Sequence, residues 1–213
     1  MSDILFQRQQ IEAMAHRYRV NFINCLSGYK SANLVGTADA DGHTNLAMVS
    51  SVVHLGADPA LMGMVTRPRS VARHSVDNLQ AMGVYTLNHV SRNMVPQAHQ
   101  TAARYPREQS EFDATGLQAA WVPQFAAPYV SDSPLSIGLR LVEIKHLECN
   151  GTDFVIGAIE WVRLPGQALQ EDGFVDLNQL DTVSVSGLDS YHPGAPSIGR
   201  FHYPKPDLPP RRQ

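Results

Sequence analysis

Residues 44–53 read TNLAMVSSVV, an apolar run that is interrupted by two adjacent serines. Immediately before it, residues 39–42 read DADG, and the glycine can take the positive φ that a tight turn needs. Residues 32–38, which precede the turn, are again mostly apolar and extended in character. The two runs are therefore predicted to pair as an antiparallel hairpin.

Short apolar runs and turn residues alternate along much of the remaining chain. Asp58-Pro59 predicts another turn, and residues 61–66 would then add a third strand to form a meander. Asn150-Gly151 separates two longer runs and is a strong hairpin signal. Further strands are predicted at 84–88 and 182–185. About six or seven mostly antiparallel strands predict a mainly β fold with peripheral helices, as in a small closed barrel.

Helical segments are predicted around these strands. An apolar stripe at helical spacing predicts an N-terminal helix over about residues 3–22. A second helix is predicted from Ser70, as its N-cap, to Gly83. Short helical pieces are predicted between residues 96 and 116, and the proline-rich residues 193–213 are expected to form an extended arm. Without a repeat or a linker, residues 1–213 are expected to form a single domain.

Composition and charge exclude several classes of function. The 213 residues carry a net charge of −3, and the 17 basic residues are scattered, so no basic stripe for nucleic acid is visible. No apolar run approaches the roughly 18 residues of a membrane span, and no signal peptide is apparent. Cys25 and Cys149 lie far apart and are expected to be free thiols. The sequence predicts a cytoplasmic protein with a small-molecule substrate.

The common catalytic motifs are missing from the sequence. There is no GxSxG, HExxH, P-loop or GxGxxG pattern, and the nine histidines show no tight ligand spacing. We therefore expect no metal site and no catalytic side chain. If the protein is an enzyme, its chemistry is expected to belong to a bound cofactor.

Three segments offer polar groups to a ligand. Two interpretations of Ser50 and Ser51 are open. Their hydroxyls form hydrogen bonds with neighbouring backbone groups, or they are presented to the polar edge of a planar heterocycle. The run from Thr66 through Arg67 to Ser70 joins a strand to a helix, where a phosphate would suit the free N–H groups and the guanidinium; an ordinary surface loop is the alternative. His74, one turn into the helix, either faces that phosphate or lies on the helix surface.

The third segment follows the strand at 84–88. Asn88 and Ser91 either end this strand or donate hydrogen bonds to a ligand that lies across the barrel rim.

Several short motifs follow one another in an order that resembles one known family. They are Asn45-Leu46-Ala47, Ser50-Ser51, Asp58-Pro59, Thr66-Arg67-Pro68, Asn78-Leu79, residues 84–88, 111–117 and 127–134, and the strand pair around Asn150-Gly151. From about Ser31 to Tyr191, their order and spacing resemble the flavin reductase-like family, whose fold is the FMN-binding split barrel. The resemblance implies a homodimer that binds FMN near its subunit interface.

The resemblance also implies roles for individual residues. Ring contacts fall on Ser50, Ser51 and Val52, phosphate contacts on Thr66, Arg67, Ser70 and His74, and rim positions on Asn88 and Ser91. Tyr191 and His192 belong to a proline-bearing loop where the nicotinamide would be expected to approach, so they are the candidate substrate contacts.

The implied activity is hydride transfer from NAD(P)H to flavin or another acceptor, with FMN as cofactor. Such a transfer needs stacked rings more than it needs an acid or a base, which agrees with the missing catalytic motifs. Two alternatives stay open. The protein is an FMN-binding electron carrier without NAD(P)H turnover, or it is a barrel that has lost flavin and serves as an interaction domain.

Overall fold

A computed structural model describes residues 3–68 and 74–213 of the chain. The helices are α1 Arg8–Glu12, α2 His16–Leu26, α3 His74–Met82, α4 Val95–Gln100 and α5 Glu111–Thr115, with 3₁₀ turns at Arg92–Met94 and Gly166–Ala168. The strands are β1 Lys30–Ser31, β2 Asn33–Ala38, β3 Thr44–Val49, β4 Val52–Ala57, β5 Ala60–Thr66, β6 Val84–His89, β7 Ala119–Ala120, β8 Tyr129–Val130, β9 Ser136–Leu147, β10 Thr152–Arg163, β11 Val183–Ser186 and β12 Ser190–Pro193.

One seven-stranded sheet dominates the fold. Its strand order is β3-β2-β6-β9-β10-β5-β4, and each neighbouring pair is antiparallel. Two smaller sheets, β1-β11-β12 and β7-β8, lie outside it. The hairpins predicted at residues 39–42 and at Asn150-Gly151 are confirmed, and Gly42 and Gly151 have the positive φ values of 86° and 70°. The prediction of a mainly β fold with peripheral helices is confirmed.

The sheet is rolled so that its two edges come together. β3 and β4 are the opposite edge strands, yet only Ser50 and Ser51 separate them in the chain. Three Cα–Cα steps can bridge at most about 11 Å, so the end of β3 and the start of β4 must be neighbours. Because β3 and β4 do not pair with each other, the barrel stays split along this line, which we call the seam.

This arrangement corrects the meander predicted for residues 32–66. Residues 44–53 form two strands rather than one, and β5 pairs with β4 and β10 rather than extending the first hairpin. The chain changes direction at the two serines because β4 continues on the far edge of the rolled sheet. The local sequence shows the interruption at Ser50 and Ser51, but it does not show that β5 pairs with β10.

Strand β2 connects the two halves of the core. All six of its residues are buried, and successive side chains of a strand point to opposite faces. Leu34 packs into one apolar cluster with Leu46, Phe112 and Val183, and Val35 packs into a second cluster. The second cluster holds Met64, Leu79, Tyr85, Leu139 and Val155 among its buried members. The β1-β11-β12 sheet is therefore fixed to the barrel through the first cluster.

The N-terminal helix differs from its prediction. It is divided into α1 and α2, and α2 extends to Leu26. Ala15, the N-cap of α2, has φ −52° and ψ 139°, which interrupts the helical backbone. Neither helix contains a buried residue. The start predicted for the next helix, Ser70, lies outside the described residues.

The C-terminal arm folds back on itself. Phe201 forms an isolated β-bridge with Arg212, so the predicted extended arm turns within residues 201–212. Across the described ranges, no helix combines the length and the apolar character that a membrane span requires.

Candidate functional site

A cleft of about 660 Å³ opens beside the seam. Its walls come from Asn24, Val35, β3 residues Asn45 and Ala47–Val49, the linking serines, residues 64–68, 74–76, 99 and 101–107, Glu111, Thr152, and Val185, Leu188 and Tyr191. We refer to it as the seam cleft. It brings together most of the polar segments that the sequence singled out.

The two linking serines have different environments. The Ser51 hydroxyl donates to the Val65 carbonyl at 2.6 Å, which ties the link to β5. Ser50 also lines the cleft, and its hydroxyl forms no hydrogen bond with any residue that the structure describes. Ser51 therefore fits the interpretation in which the hydroxyl bonds to neighbouring backbone, whereas the hydroxyl of Ser50 remains available to a ligand.

Strand β3 offers backbone groups to the same cleft. The Leu46 N–H donates to Glu111 Oε2 at 2.8 Å and so points away from β2. Backbone direction repeats every two residues in a strand, so the N–H and C=O of Met48 also point away from β2. Ala47 and Met48 both line the cleft. The exposed edge of β3 is thus a second set of donors and acceptors.

Glu111 clamps this edge from α5. Its side chain is only 7% exposed, and burial raises the pKa of its carboxyl, although the Leu46 N–H opposes that shift. One residue earlier, the N-cap Ser110 shares a hydrogen bond of 2.7 Å with Thr44 Oγ1. The Glu111 carboxylate therefore takes the place of a neighbouring strand at Leu46, and Ser110 adds a side-chain contact at Thr44.

The predicted phosphate segment lies where β5 ends. Thr66, Arg67 and His74 all line the cleft. The Thr66 hydroxyl makes a long contact of 3.4 Å with the Asp153 carbonyl, and Arg67 is exposed without an ion pair or a hydrogen bond to any residue in ranges 3–68 and 74–213. Ser70, the remaining member of this prediction, lies outside the described residues.

Residues 99–107 add a wall that the sequence reasoning missed. Tyr105 accepts a hydrogen bond of 3.0 Å from Gln100, and Arg107 reaches Asp39 at 3.4 Å. Arg104 also lines the cleft. The segment reads as an ordinary polar connection between short helices, so only its basic and aromatic composition could have suggested a ligand.

Four predicted contacts lie elsewhere. Asn88 is fully buried, donates to the Leu34 carbonyl and to Thr86 Oγ1, and accepts from the Val130 N–H at 3.0 Å. These bonds correct its predicted rim position, because the amide ties β6 to β2 and β8 inside the fold. The other three residues do not line the cleft either. The Ser91 hydroxyl forms a hydrogen bond with Asn93, and the His192 ring forms one with Ser186. Val52 packs on the second core cluster.

Tyr191, unlike its neighbour His192, does reach the seam cleft. Its hydroxyl lies 3.0 Å from His99 Nδ1, and the two rings are nearly perpendicular with centroids 5.7 Å apart.

One cluster of possible metal ligands lies apart from the cleft. Asp39, Asp41 and His43 bring ligand atoms within 4.8 Å of one another. The Asp39 carboxylate already accepts from both other residues and lies near Arg107, so local hydrogen bonds account for the cluster.

The chain is similar in sequence to a described family. The sequence profile of the flavin reductase like domain matches residues 26–179. An uncharacterized protein from Deinococcus radiodurans is 25% identical over 147 residues, which are 67% of this chain; the match spans only 64% of that relative's length.

Solved structures share the fold. A flavin reductase candidate with a split barrel domain from Shewanella frigidimarina NCIMB 400 is 50% identical, with a TM-score of 0.91 over 95% of this chain and 100% of the other. Component B of nitrilotriacetate monooxygenase from Bacillus cereus is 15% identical, with a TM-score of 0.80 over 93% of this chain and 98% of the other. The second similarity concerns the fold alone.

We predict that Glu111→Ala destabilises the protein more than Glu111→Gln does. The alanine leaves the buried Leu46 N–H without its acceptor, which costs about 1–3 kcal/mol in the free energy of unfolding, whereas glutamine keeps an acceptor oxygen. Urea unfolding at about pH 7 measures both changes. Equal losses would contradict the proposed clamp.

The pH dependence of the free energy of unfolding is a second test of the role of Glu111. Because the folded state raises the pKa of Glu111, the wild type should lose stability as the pH rises from the ordinary glutamate range through that raised pKa. Glu111→Gln removes this contribution, so its stability should fall less over the same range.

Proposed function

The chain belongs to the flavin reductase like domain family, and on that premise we propose that it is an FMN-dependent oxidoreductase that takes a hydride from NAD(P)H and passes it to flavin or another acceptor. The observation that carries the proposal is the seam cleft, which is lined by the Arg67 guanidinium, the Ser50 hydroxyl and an open strand edge; neither side chain is bonded to any residue in ranges 3–68 and 74–213. Unpaired donors of this kind suit a ligand that has an anionic tail and a polar planar ring.

The residues of the cleft fit such a ligand. Its volume of about 660 Å³ falls within the range of about 300–1,000 Å³ that is typical of small-molecule sites. Arg67 and Thr66 offer charged and neutral donors at the end of β5, and the open edge of β3 offers both donors and acceptors. FMN would supply the ring that accepts and returns the hydride.

We assign the binding roles to two groups of residues. Ser50 and the backbone at Met48 hold the polar edge of the ring, with Ser51 fixing the link to β5. Thr66, Arg67 and His74 hold the phosphate, together with Ser70 of the same segment. Tyr191 lies on the substrate side. The chain then works by aligning two rings and excluding water rather than by supplying an acid or a base.

We also propose that the protein is a homodimer whose interface includes α2. Tyr18, Ile23 and Leu26 are 58%, 45% and 63% exposed, and no residue of α2 is buried. Asn24 of the same helix lines the seam cleft, so a second copy that covers α2 would lie beside the ligand. Several large apolar side chains exposed on one helix favour an association site.

A cytoplasmic location is proposed from the cysteines. Cys25 and Cys149 are both free and exposed, a state that a reducing compartment preserves.

Anaerobic titration tests the proposed activity directly. We expect FMN-loaded protein to bleach near 450 nm, roughly the usual flavin band, when NADH or NADPH is added, because hydride transfer reduces the ring. Flavin that stays oxidised with both nucleotides but is bleached by dithionite would instead identify an electron carrier.

We predict that Arg67→Ala weakens FMN binding by about one to two decades in Kd. The expected loss is that of a charge-assisted hydrogen bond, about 1.5–3 kcal/mol. Flavin fluorescence titration measures the Kd. Arg140→Ala is the matched control, since Arg140 pairs with Glu160 and does not line the cleft. An unchanged Kd for Arg67→Ala would remove Arg67 from the site.

We predict that Leu26→Glu converts a dimer to a monomer. The new carboxylate would be desolvated at an apolar interface without a partner, which opposes association. Sedimentation velocity of wild type and variant gives the oligomeric state. Leu208→Glu, a substitution at a 47% exposed site in the C-terminal arm, should leave the dimer intact. A monomeric wild type would rule the proposal out.

A further inference from the structure

The wall formed by residues 99–107 joins the two ends of the seam cleft. At one end, His99 Nδ1 lies 3.0 Å from the hydroxyl of Tyr191, which was assigned to the substrate side. At the other end, Arg107 donates to Asn78 Oδ1 at 3.5 Å, one helical turn after the start of α3. Because the first residue of α3 belongs to the proposed phosphate site, the wall runs from the substrate side to the phosphate side.

Arg104 lies between these two contacts. It is exposed and lines the cleft, and its side chain forms no hydrogen bond or ion pair with any part of the chain that the structure describes. The backbone just before it is fixed, because the N–H groups of Ala102 and Ala103 donate to carbonyls three residues earlier at 3.0 and 3.1 Å. A free guanidinium is therefore presented from an ordered turn.

The flavin alone does not account for this cation. FMN carries a single phosphate, and the proposed function already gives that phosphate to Arg67 and to its neighbours at the end of β5. Arg104 belongs to a different segment of the cleft wall and has no role in that assignment. It is therefore available to a second anionic group.

The charge of the cleft is one-sided. Three arginines, Arg67, Arg104 and Arg107, line it, whereas Glu111 is the only carboxylic acid among the lining residues that the structure describes. Glu111 is 7% exposed, and its carboxylate accepts a hydrogen bond of 2.8 Å from a backbone N–H of β3. Residues 69–73 read RSVAR and contain no acid. A ligand in the cleft therefore meets positive charge and no free carboxylate from the described residues.

This charge pattern discriminates between the two nicotinamide dinucleotides. They differ only at the 2′ position of the adenosine ribose, which bears a hydroxyl in NADH and a phosphate in NADPH. Nucleotide sites commonly bind the hydroxyl through a carboxylate and accommodate the phosphate through an arginine. A terminal phosphate carries about −1.5 to −2 charges near pH 7, and its oxygens match the guanidinium fork. The cleft holds the group that suits NADPH.

We propose that Arg104 binds the 2′-phosphate of NADPH and that the protein therefore uses NADPH in preference to NADH. The inference rests on the proposed function, in which the dinucleotide reduces the bound flavin. The reaction remains the transfer of one hydride from the dihydronicotinamide to the flavin ring, which leaves NADP⁺. Arg104 touches no reacting atom and determines specificity by holding the adenosine end.

Three substitutions of Arg104 test the proposal. Arg104→Ala removes the cation, Arg104→Lys keeps the charge but loses the fork, and Arg104→Glu supplies a carboxylate that can accept from a 2′-hydroxyl. Arg211→Ala is the control. The Arg211 side chain is also exposed and unbonded among the described residues, but it does not line the cleft.

The first measurement is of binding without turnover. Adenosine 2′,5′-bisphosphate and adenosine 5′-monophosphate, which differ by the 2′-phosphate, are titrated calorimetrically into oxidised, FMN-loaded protein. We expect the wild type to prefer the bisphosphate. Arg104→Ala should weaken the binding of the bisphosphate about 10- to 100-fold, as expected for one lost charge-assisted hydrogen bond, with a smaller loss in Arg104→Lys and none in the control.

Two results of this titration would overturn the proposal. Equal affinities of the wild type for the two probes would mean that the 2′-phosphate is not recognised. An equal loss for both probes in Arg104→Ala would place the guanidinium on the 5′-phosphate instead.

The second measurement is the choice of electron donor. The ratio of kcat/KM for NADPH to kcat/KM for NADH should fall about 10- to 100-fold in Arg104→Ala and further in Arg104→Glu, mainly through KM for NADPH, because a binding contact remote from the reacting atoms is lost. The control should keep the wild-type ratio. A wild type that prefers NADH, or an unchanged ratio in Arg104→Ala, contradicts the assignment. So does a comparable loss of FMN affinity in Arg104→Ala, since the guanidinium would then serve the flavin phosphate.

Failure of this inference and failure of the proposed function are distinguishable. If neither dinucleotide reduces the FMN-loaded wild type, the proposed function fails and this inference fails with it. If NADH and NADPH reduce the flavin equally well, the proposed function stands and only the role of Arg104 is rejected.

Discussion

The structure depends on one chain-length constraint: two residues must connect the opposite edges of a seven-stranded sheet. Ser50 and Ser51 span the gap between β3 and β4, which forces the sheet to roll until these edges are neighbours. The hydrogen bond from Ser51 to Val65 then fixes the link against β5. Because the edges approach without pairing, a cleft forms where a closed barrel would have a continuous ladder of hydrogen bonds.

The same constraint explains why the site needs few special residues. An unpaired edge already carries backbone donors and acceptors, and Glu111 occupies only the part of β3 near Leu46. Arg67 lies at the end of β5, the strand that the link holds in place. The binding groups therefore come from the architecture of the sheet, and the side chains adjust charge and polarity.

Sequence reasoning worked where structure is local. The turns at residues 39–42 and at Asn150-Gly151 carry their own conformational signal, and each joins strands that are adjacent in the chain. The pairing of β5 with β10 could not be predicted, because it depends on closure of the whole sheet. Likewise, the apolar stripe near the N-terminus indicated a helix but not the break before α2.

The candidate site shows the same limit. Ser50, Thr66, Arg67 and His74 were predicted from their position at strand ends, and they do meet in one cleft. Asn88 has a similar local context, yet hydrogen bonds with Leu34 and Val130, two distant segments, hold it inside the fold. The wall at residues 99–107 faces the cleft only because α4 and α5 pack on the barrel, which no local pattern reveals.

The split of the barrel has a consequence for how the polypeptide behaves when the cleft is empty. Bare strand borders are templates on which other chains can add, and proteins commonly shield them with charges or coverings. Here one border is shielded by a carboxylate only along its first half. A molecule bound in the cleft would cover the rest of this border and hinder such aggregation, so the loaded protein should be the more soluble form.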